Sequence, residues 1–381
     1  MALLNKNLKI YKYGFAKSKK NFKINSWRFF FNGLDEISGA EHMFFLEFQM
    51  VNPWSSPSEI RLCLENDKSS ETFGFNEKKS KSKEDNFPSY CSVRVSKLGN
   101  EPKNLCLYVP IDDINFSKKP LSIEIGDISF SEKALHGRLS VSERDGSYKP
   151  EYMCDKGYAV WDLTYEIKDG FSVGFNDESR WFPSGLRTLI GGKILFDGVE
   201  YKVKKERSHG YSERFWGRNY PAPWFHLSAN ELVSEFSGKA LADSSFSVHG
   251  LFDKKLSFVG KINGVEIISR GDIAKNSKKV AWDCVKMPET DKDKSNLIHW
   301  SCSFPVKNLV IDIDVYCQLN DLLHRIISLP ESAGGPLKLL EGYSDIGEIK
   351  IYRRNGSNLE QIEHARINKA VCEYGAQKKK E

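Results

Sequence analysis

The chain predicts an all-β protein made of antiparallel strands, and three observations carry that reading. Apolar and polar residues alternate with period two through most of the sequence, as in strands with one buried face. No window of about a dozen residues holds a 3.6-residue apolar repeat. Glycine-centred turns separate the strand-like runs. Asp197-Gly198 joins Lys193-Ile194-Leu195-Phe196 to Val199-Glu200-Tyr201-Lys202-Val203, and Asn263-Gly264 joins 258–262 to 265–268. Both dipeptides suit the tight hairpin turns that need positive φ. A third hairpin is expected at Asn355-Gly356, after Glu348-Ile349-Lys350-Ile351-Tyr352. Further strands are expected at 27–32, 43–50, 59–64, 91–96, 136–142, 159–167, 298–304 and 309–317. Asn230–Phe236 and Leu337–Glu341 are short helices at best. Many short strands with turn signals roughly every 8–12 residues point to sandwiches or barrels. The similar hairpins near 193–203 and 258–268 point to two comparable sheets.

Composition agrees with a large globular chain. Its 381 residues suffice for two domains or one large β protein. With 40% apolar and 28% charged residues, a sizeable core is expected and global disorder is not. The 56 basic and 51 acidic side chains are interspersed and leave a net charge of only +5. No basic stripe alternates with aromatics, so no nucleic-acid partner is expected. The segments Glu65–Asn86, Pro288–Asn296 and Lys378–Lys380 are charge-rich and read as solvated.

The eight cysteines form no C-x-x-C pair and no zinc-like cluster with histidine, so they read as small buried hydrophobes and no metal is expected. The lysine-rich stretch Met1–Lys20 lacks the apolar core of a signal peptide. Glu47 breaks the longest apolar run, Met43-Phe44-Phe45-Leu46, which is too short to span a bilayer as a helix. These features together favour a reducing, cytoplasmic setting and leave a peripheral membrane contact open. No phosphate loop, G-x-S-x-G elbow or H-E-x-x-H motif occurs. A lone histidine is more often structural than catalytic.

One stretch stands apart. Residues 211–226 place aromatics, a carboxylate, two arginines and a histidine side by side. Charge held among aromatics is charge in a partly apolar place, where pKa values shift. If Gly210–Trp216 is a strand, Tyr211, Glu213 and Phe215 share one face, and Ser212, Arg214 and Trp216 share the other. On the inward face of a barrel, Glu213 becomes a desolvated acid with a raised pKa, able to donate a proton at neutral pH. Alternatively Arg214 or Arg218 pairs with it, lowers its pKa and makes a structural staple. Residues alone weigh the two evenly. Trp216, Tyr220, Trp224 and Phe225 supply aromatic faces, either as core or as a wall for an apolar ligand. Such faces steady a cation by ~0.5–2 kcal/mol.

The run Gly210-Tyr211-Ser212-Glu213-Arg214-Phe215-Trp216-Gly217, continued by Tyr220-Pro221 and Trp224-Phe225, resembles the "Y-x-E-K-N-W-G-x-x-F-P-x-x-W-F/W" block of tocopherol cyclase-like proteins. These are lipocalin-like and related to hydroxyneurosporene synthase-like proteins. Other segments agree: Arg28-Phe29-Phe30-Phe31-Asn32-Gly33, Phe44-Phe45-Leu46-Glu47-Phe48, the 191–203 hairpin and Cys372-Glu373-Tyr374-Gly375. The resemblance spans about 30–375. Arg214-Phe215 replaces the family's Lys-Asn, keeping charge without lysine geometry and losing an amide.

The resemblance implies two lipocalin-like antiparallel β-barrel or sandwich halves packed together, with very little helix. Residues 1–22 would be an extension, 23–209 the first half, 210–376 the second half with the motif at the junction, and 377–381 a disordered tail. It implies acid-catalysed cyclisation of a prenylated quinol or similar isoprenoid lipid, without cofactor or metal. Glu213 would be the acid and Tyr211 its partner. Trp216, Arg214, Arg218, Tyr220, Trp224, His226, Arg28 and Asn32 would bind the substrate. Two alternatives remain at this level. A non-catalytic carrier of a hydrophobic ligand would have no acid facing its cavity. A carbohydrate-binding sandwich would show tryptophans on an exposed flat face. Oligomeric state is not legible.

Overall fold

A computed structural model of the chain describes residues 24–62, 71–73, 88–118, 120–148, 153–171, 173–174, 179–206, 209–217, 223–251, 255–269, 280–288, 296–329 and 335–376. The extension 1–22, the tail 377–381, 289–295 and most of 65–86 lie outside them. Within the last, Glu71–Phe73 is a short strand paired with Ile60–Leu62, where a solvated segment was expected.

The architecture is the expected one: among the described residues, two curled antiparallel sheets, of 14 and 11 strands, pack together. Among the described residues the helical elements are two single 3-10 turns, Ile111–Asp113 and Leu319–Asp321. The hairpins form where Asp-Gly and Asn-Gly call for them. Asp197 and Gly198 have φ of 47° and 89°, and Asn263 and Gly264 have 47° and 78°.

The first sheet is organised around the strand Ile24–Asp35. Glu41–Val51 pairs along one edge of it. Tyr211–Gly217 pairs the start of the other edge, and Val199–Val203 its end. The second sheet is organised around the long strand Asn358–Ala376. Trp224–Ser234, Leu337–Ser344 and Ile346–Asn355 all pair with it.

Burial explains why some strands alternate and others do not. Gly157–Asp169 runs apolar-in and polar-out, with Ala159, Trp161 and Leu163 in the first core. Ile24–Asp35, Glu41–Val51 and Tyr211–Gly217 are buried on both faces almost throughout. One face, with Trp27, Phe29 and Phe31, fills the first barrel. The other is covered by the second sheet, a position that favours continuous apolar runs. The second barrel has its own core around Leu227, Phe258, Trp300 and Ile351. A third core lies where the sheets meet, and it takes in Phe30, Phe45, Tyr211, Phe215, Trp224, Leu339 and Val371.

Three expectations change. Residues 230–234 and 337–341 are strand, not helix. In the latter, Leu337 and Leu339 are buried while Lys338 between them is exposed, a period of two that fits a strand. The motif strand Tyr211–Gly217 pairs in the first sheet, and the second begins at Trp224, so the junction falls after 217 and not at 210. The Tyr–Glu–Phe face of that strand points to the seam between sheets, whereas the Arg214 face points into the first barrel. Arg214 lies over the Trp27 ring, 4.6 Å from its centroid.

Gly210 leads into the motif strand with no room for a side chain. A Cβ there would lie 1.6 Å from the carbonyl oxygen of Thr188, whose N–H bonds the Gly210 carbonyl at 2.9 Å. Gly210→Ala is expected to destabilise by at least about 2 kcal/mol. It should therefore lower the urea midpoint without changing the slope; an unchanged midpoint would show that the Thr188 backbone gives way freely.

Candidate functional site

The seam between the sheets holds a buried ionic cluster. Strand register assembles it: Arg28 pairs laterally with Glu213 on one side and Glu47 on the other, and Glu341 pairs with Glu373 in the second sheet. Burial is complete to within 1% for the side chains of Arg28, Glu47, Glu213, Arg325, Glu341 and Glu373.

Arg28 is the link. Its Nη1 lies 2.5 Å from Glu213 Oε1, and its Nη2 donates to Glu373 Oε1 across the seam. Each carboxylate receives an indole N–H on its other oxygen. Trp181 Nε1 donates to Glu213 Oε2 at 2.7 Å, and Trp224 Nε1 donates to Glu373 Oε2 at 2.7 Å. His249 lies between the two indoles, 4.6 Å from the Trp181 centroid and 4.4 Å from that of Trp224. The Arg28 guanidinium also lies about 5 Å from the centroids of Phe30, Phe45 and Trp224.

Glu213 is buried but is not the neutral acid that desolvation alone would make. Burial pushes its carboxyl up, while His226 and Arg28 pull it below the ordinary value, and the pull is larger. Three donors hold it ionised: Arg28, Trp181 and Tyr211, the last at 2.7 Å. Tyr211 also bonds Ser247 at 2.9 Å, and burial beside Glu213 holds its phenol well above the usual range. Glu373 is lowered to about 2, Arg28 prevailing over burial. His249 stays neutral, burial lowering it to about 3.

Glu341 is the exception. Arg325 Nε lies 2.6 Å from its Oε1 and Arg28 Nη2 lies 3.7 Å away, yet neither oxygen receives a well-directed hydrogen bond among the described residues. Arg325 gives its Nη1 to Glu47 Oε2 at 2.6 Å, and Ser26 takes the other Glu47 oxygen at 2.9 Å. Burial first, then the neighbouring carboxylates Glu373 and Glu47, raise Glu341 to about 7 against the pull of Arg325. The cluster thus holds one carboxyl raised by burial, Glu341, beside two held low, Glu213 and Glu373.

The other expected residues divide. Trp224 and Arg28 are in the cluster, and His226 borders it with Nδ1 3.9 Å from Glu213 Oε2. Arg214 faces the first barrel and bonds Asn25 at 3.1 Å, and Trp216 shares that face. Asn32 bonds Glu41 at 3.5 Å, away from the cluster. Arg218 and Tyr220 lie outside the described residues. The partner of Glu213 is therefore Arg28, not Arg214, because alternation turns a sequence neighbour to the opposite face.

Arg325, Glu341 and Trp181 were missed, and Glu47 and Glu373 were seen only as parts of motif segments. A usable signal existed: a single charge set into a short apolar run. Phe45-Leu46-Glu47-Phe48, Arg325-Ile326-Ile327, Leu339-Leu340-Glu341 and Val371-Cys372-Glu373 all show it. Among the described residues, Glu213 and Glu341 line neither of two cavities that border the sheets. One, about 540 Å³, is polar and includes His209, Asn230 and Lys369; the other, about 370 Å³, is largely apolar and includes Arg325 and Leu340.

Substitutions should distinguish the two kinds of carboxyl. Glutamine mimics a protonated glutamate, so Glu341→Gln should change stability little. Glu213→Gln breaks one of the two direct carboxylate bonds to the buried Arg28 and should cost about 3–5 kcal/mol by urea unfolding. Equal losses would refute the division. The pH profile follows with its sign. Glu373, lowered from 4.5 to about 2, contributes stability above 4.5 that is lost as pH falls toward 2. Glu341, raised from 4.5 to about 7, contributes stability below 4.5 that is lost as pH rises to 7. Glu341→Gln should flatten that second decline, and an unaltered profile would contradict the assignment.

No protein-family model and no curated protein matches the chain. Solved structures similar over most of its length include the following two. A protein provisionally named AttH from Nitrosomonas europaea is 11% identical, covering 93% of this chain and 92% of that one, with a TM-score of 0.46. Kievitone hydratase from Nectria haematococca is 12% identical, covering 92% and 88%, with a TM-score of 0.45. Neither score carries site chemistry across to this chain.

Proposed function

We propose that the chain is a cofactor-independent acid–base enzyme of the isomerase kind, acting on a hydrophobic, isoprenoid-type substrate such as a prenylated quinol. The observation behind this is the buried cluster at the seam, where Glu373 is held ionised by Arg28 and Trp224 while neither Glu341 oxygen receives a well-directed hydrogen bond among the described residues and burial raises its carboxyl. Neighbouring acids with pKa values driven apart are the usual mark of an acid–base assignment. Stability alone gives little reason for such a cluster, since buried ion pairs are often matched or surpassed by apolar packing.

In this reading Glu341, not Glu213, is the acid. Its proton passes to one carbon of a prenyl double bond and leaves a tertiary cation on the other. The ionised Glu213 and Glu373 and the indole faces of Trp181 and Trp224 steady that cation. The substrate's phenol oxygen then attacks, the carbon–oxygen bond forms, and the phenolic proton returns to Glu341. No atom is gained or lost, and no redox step occurs. The tocopherol cyclase-like motif at 210–225 is consistent with this chemistry, with Glu213 recast as the charge that holds Arg28 in place.

A carrier is the second reading. It is favoured by Arg28 and two indoles occupying Glu213 and Glu373, which suits a staple between barrels, and by the absence of Glu213 and Glu341 from the lining of both cavities described above. The carbohydrate-binding alternative finds no support, because Trp27, Trp161, Trp181, Trp216, Trp224 and Trp300 are all buried.

Incubation with a prenylated hydroquinone, followed by chromatography for the cyclised isomer, separates enzyme from carrier. Turnover should fall by about a hundredfold or more in Glu341→Gln, the usual scale for losing a general acid, with binding retained. Full turnover in that variant would sink the assignment, and binding without turnover in the native protein would favour the carrier.

A further inference from the structure

The network at the seam closes on itself through a side chain with no part in the proposed proton transfer. His249 lies on the strand Ser245–Leu251 of the second sheet, paired laterally with His226. Alternation sets its direction. Phe246 and Val248 enter the second core, so Ser247 and His249 face the seam. Ser247 meets Tyr211 of the first sheet there, with 2.9 Å between their oxygens. His249 enters between two tryptophans. It stacks on Trp181 of the first sheet, with 23° between the ring planes, and meets Trp224 of the second sheet at 81°. Phe215 closes a third side, 6.2 Å from the imidazole centroid. His249, Trp181 and Trp224 are each 0% exposed.

Six side chains therefore make one circuit: Arg28, Glu213, Trp181, His249, Trp224 and Glu373. Each sheet supplies three of them. The circuit crosses the seam twice, at Arg28–Glu373 and at Trp181–His249. An indole turns about two side-chain bonds, and its N–H meets a carboxylate well only over a narrow range of angles. Strand register fixes where each tryptophan begins, and the ring packed against it fixes its plane. Burial keeps the imidazole neutral, its pKa lowered to about 3, so it adds no cation to compete with Arg28 for the carboxylates.

We propose that His249 is a positioning residue, its ring wedging Trp181 and Trp224 into the orientations in which their N–H groups hold Glu213 and Glu373. Hydrogen bonds to the charged form favour the ionised acid. A supporting layer of packed side chains is what keeps such donors in place. Around the two carboxylates stand Arg28 and Tyr211 from the first sheet, and Arg325, Glu341, His226 and His249 from the second. The consequence for turnover rests on the reaction proposed above, in which both carboxylates and both indoles steady the cation; the positioning itself does not.

Indole N–H resonances of the full chain, labelled with 15N-tryptophan and assigned with Trp181→Phe and Trp224→Phe, test it. A proton donated to a buried carboxylate resonates downfield. Two variants fill the site alike: His249→Phe keeps a flat ring, and His249→Leu does not. Native protein and His249→Phe should show both downfield resonances, and His249→Leu should lose one or both. The stability that Glu373 contributes above pH 4.5 is lost as pH falls toward 2. A weaker hold raises the folded pKa, so in His249→Leu that loss should begin about one pH unit higher, the scale of one charge-assisted hydrogen bond. In His249→Phe it should stay in place. Both resonances kept in His249→Leu, with stability lowered equally at every pH, would make the ring a filler and overturn the proposal. Loss of the resonances in His249→Phe would overturn it as well. Neither readout uses a substrate, so failure here is separable from failure of the proposed reaction.

Discussion

The contact on which the structure turns is Arg28 between Glu213 and Glu373. The two carboxylates belong to different sheets, and one guanidinium takes an oxygen from each. A buried guanidinium is tolerated only when its charge is matched and its donors are used. Here that condition can be met only with the two sheets in one relative position. The same requirement fixes Trp181 and Trp224, whose N–H groups take the remaining carboxylate oxygens. An apolar seam would hold the halves together, but this one also sets their register.

From that link the rest of the cluster follows by charge. Arg28 is shared by Glu213 and Glu373, and Arg325 is shared by Glu47 and Glu341. Two guanidinium groups therefore face four carboxyls. Arg94 adds a weaker third cation, 4.0 Å from Glu47. Full ionisation would leave surplus negative charge in a dry place, and the least costly remedy is a retained proton. It settles on Glu341, the carboxyl with the poorest hydrogen bonding. The chemistry proposed for the site is thus a consequence of the packing that joins the barrels.

The fold was largely legible in the sequence because its determinants are local. Asp197-Gly198 and Asn263-Gly264 each fix a hairpin within a few residues, and period two fixes the strands on either side. Alternation also places Tyr211, Glu213 and Phe215 on one buried face. It does not say what covers that face, so the motif was assigned to a barrel interior when it lies against a second sheet. The site was less legible because its partners are far apart in sequence. Arg28 and Glu373 are 345 residues apart, and only sheet register brings them together. Reasoning from neighbours suggested Arg214, which alternation sends the other way. A raised carboxyl was expected at Glu213, whereas burial raises Glu341 and Glu213 is held low. The charges of His226 and Arg28 outweigh the desolvation of Glu213, and Arg28 is 185 residues away in the chain.

The protonation of Glu341 is the claim on which site and function both rest. Infrared difference spectra of native protein and Glu341→Gln, recorded across a pH titration, read it directly. The account predicts a protonated-carboxyl carbonyl band in the native protein that titrates near pH 7 and is missing from the variant. A band absent from the native protein in mildly acidic solution, or one that persists in Glu341→Gln, would place the proton elsewhere and contradict it.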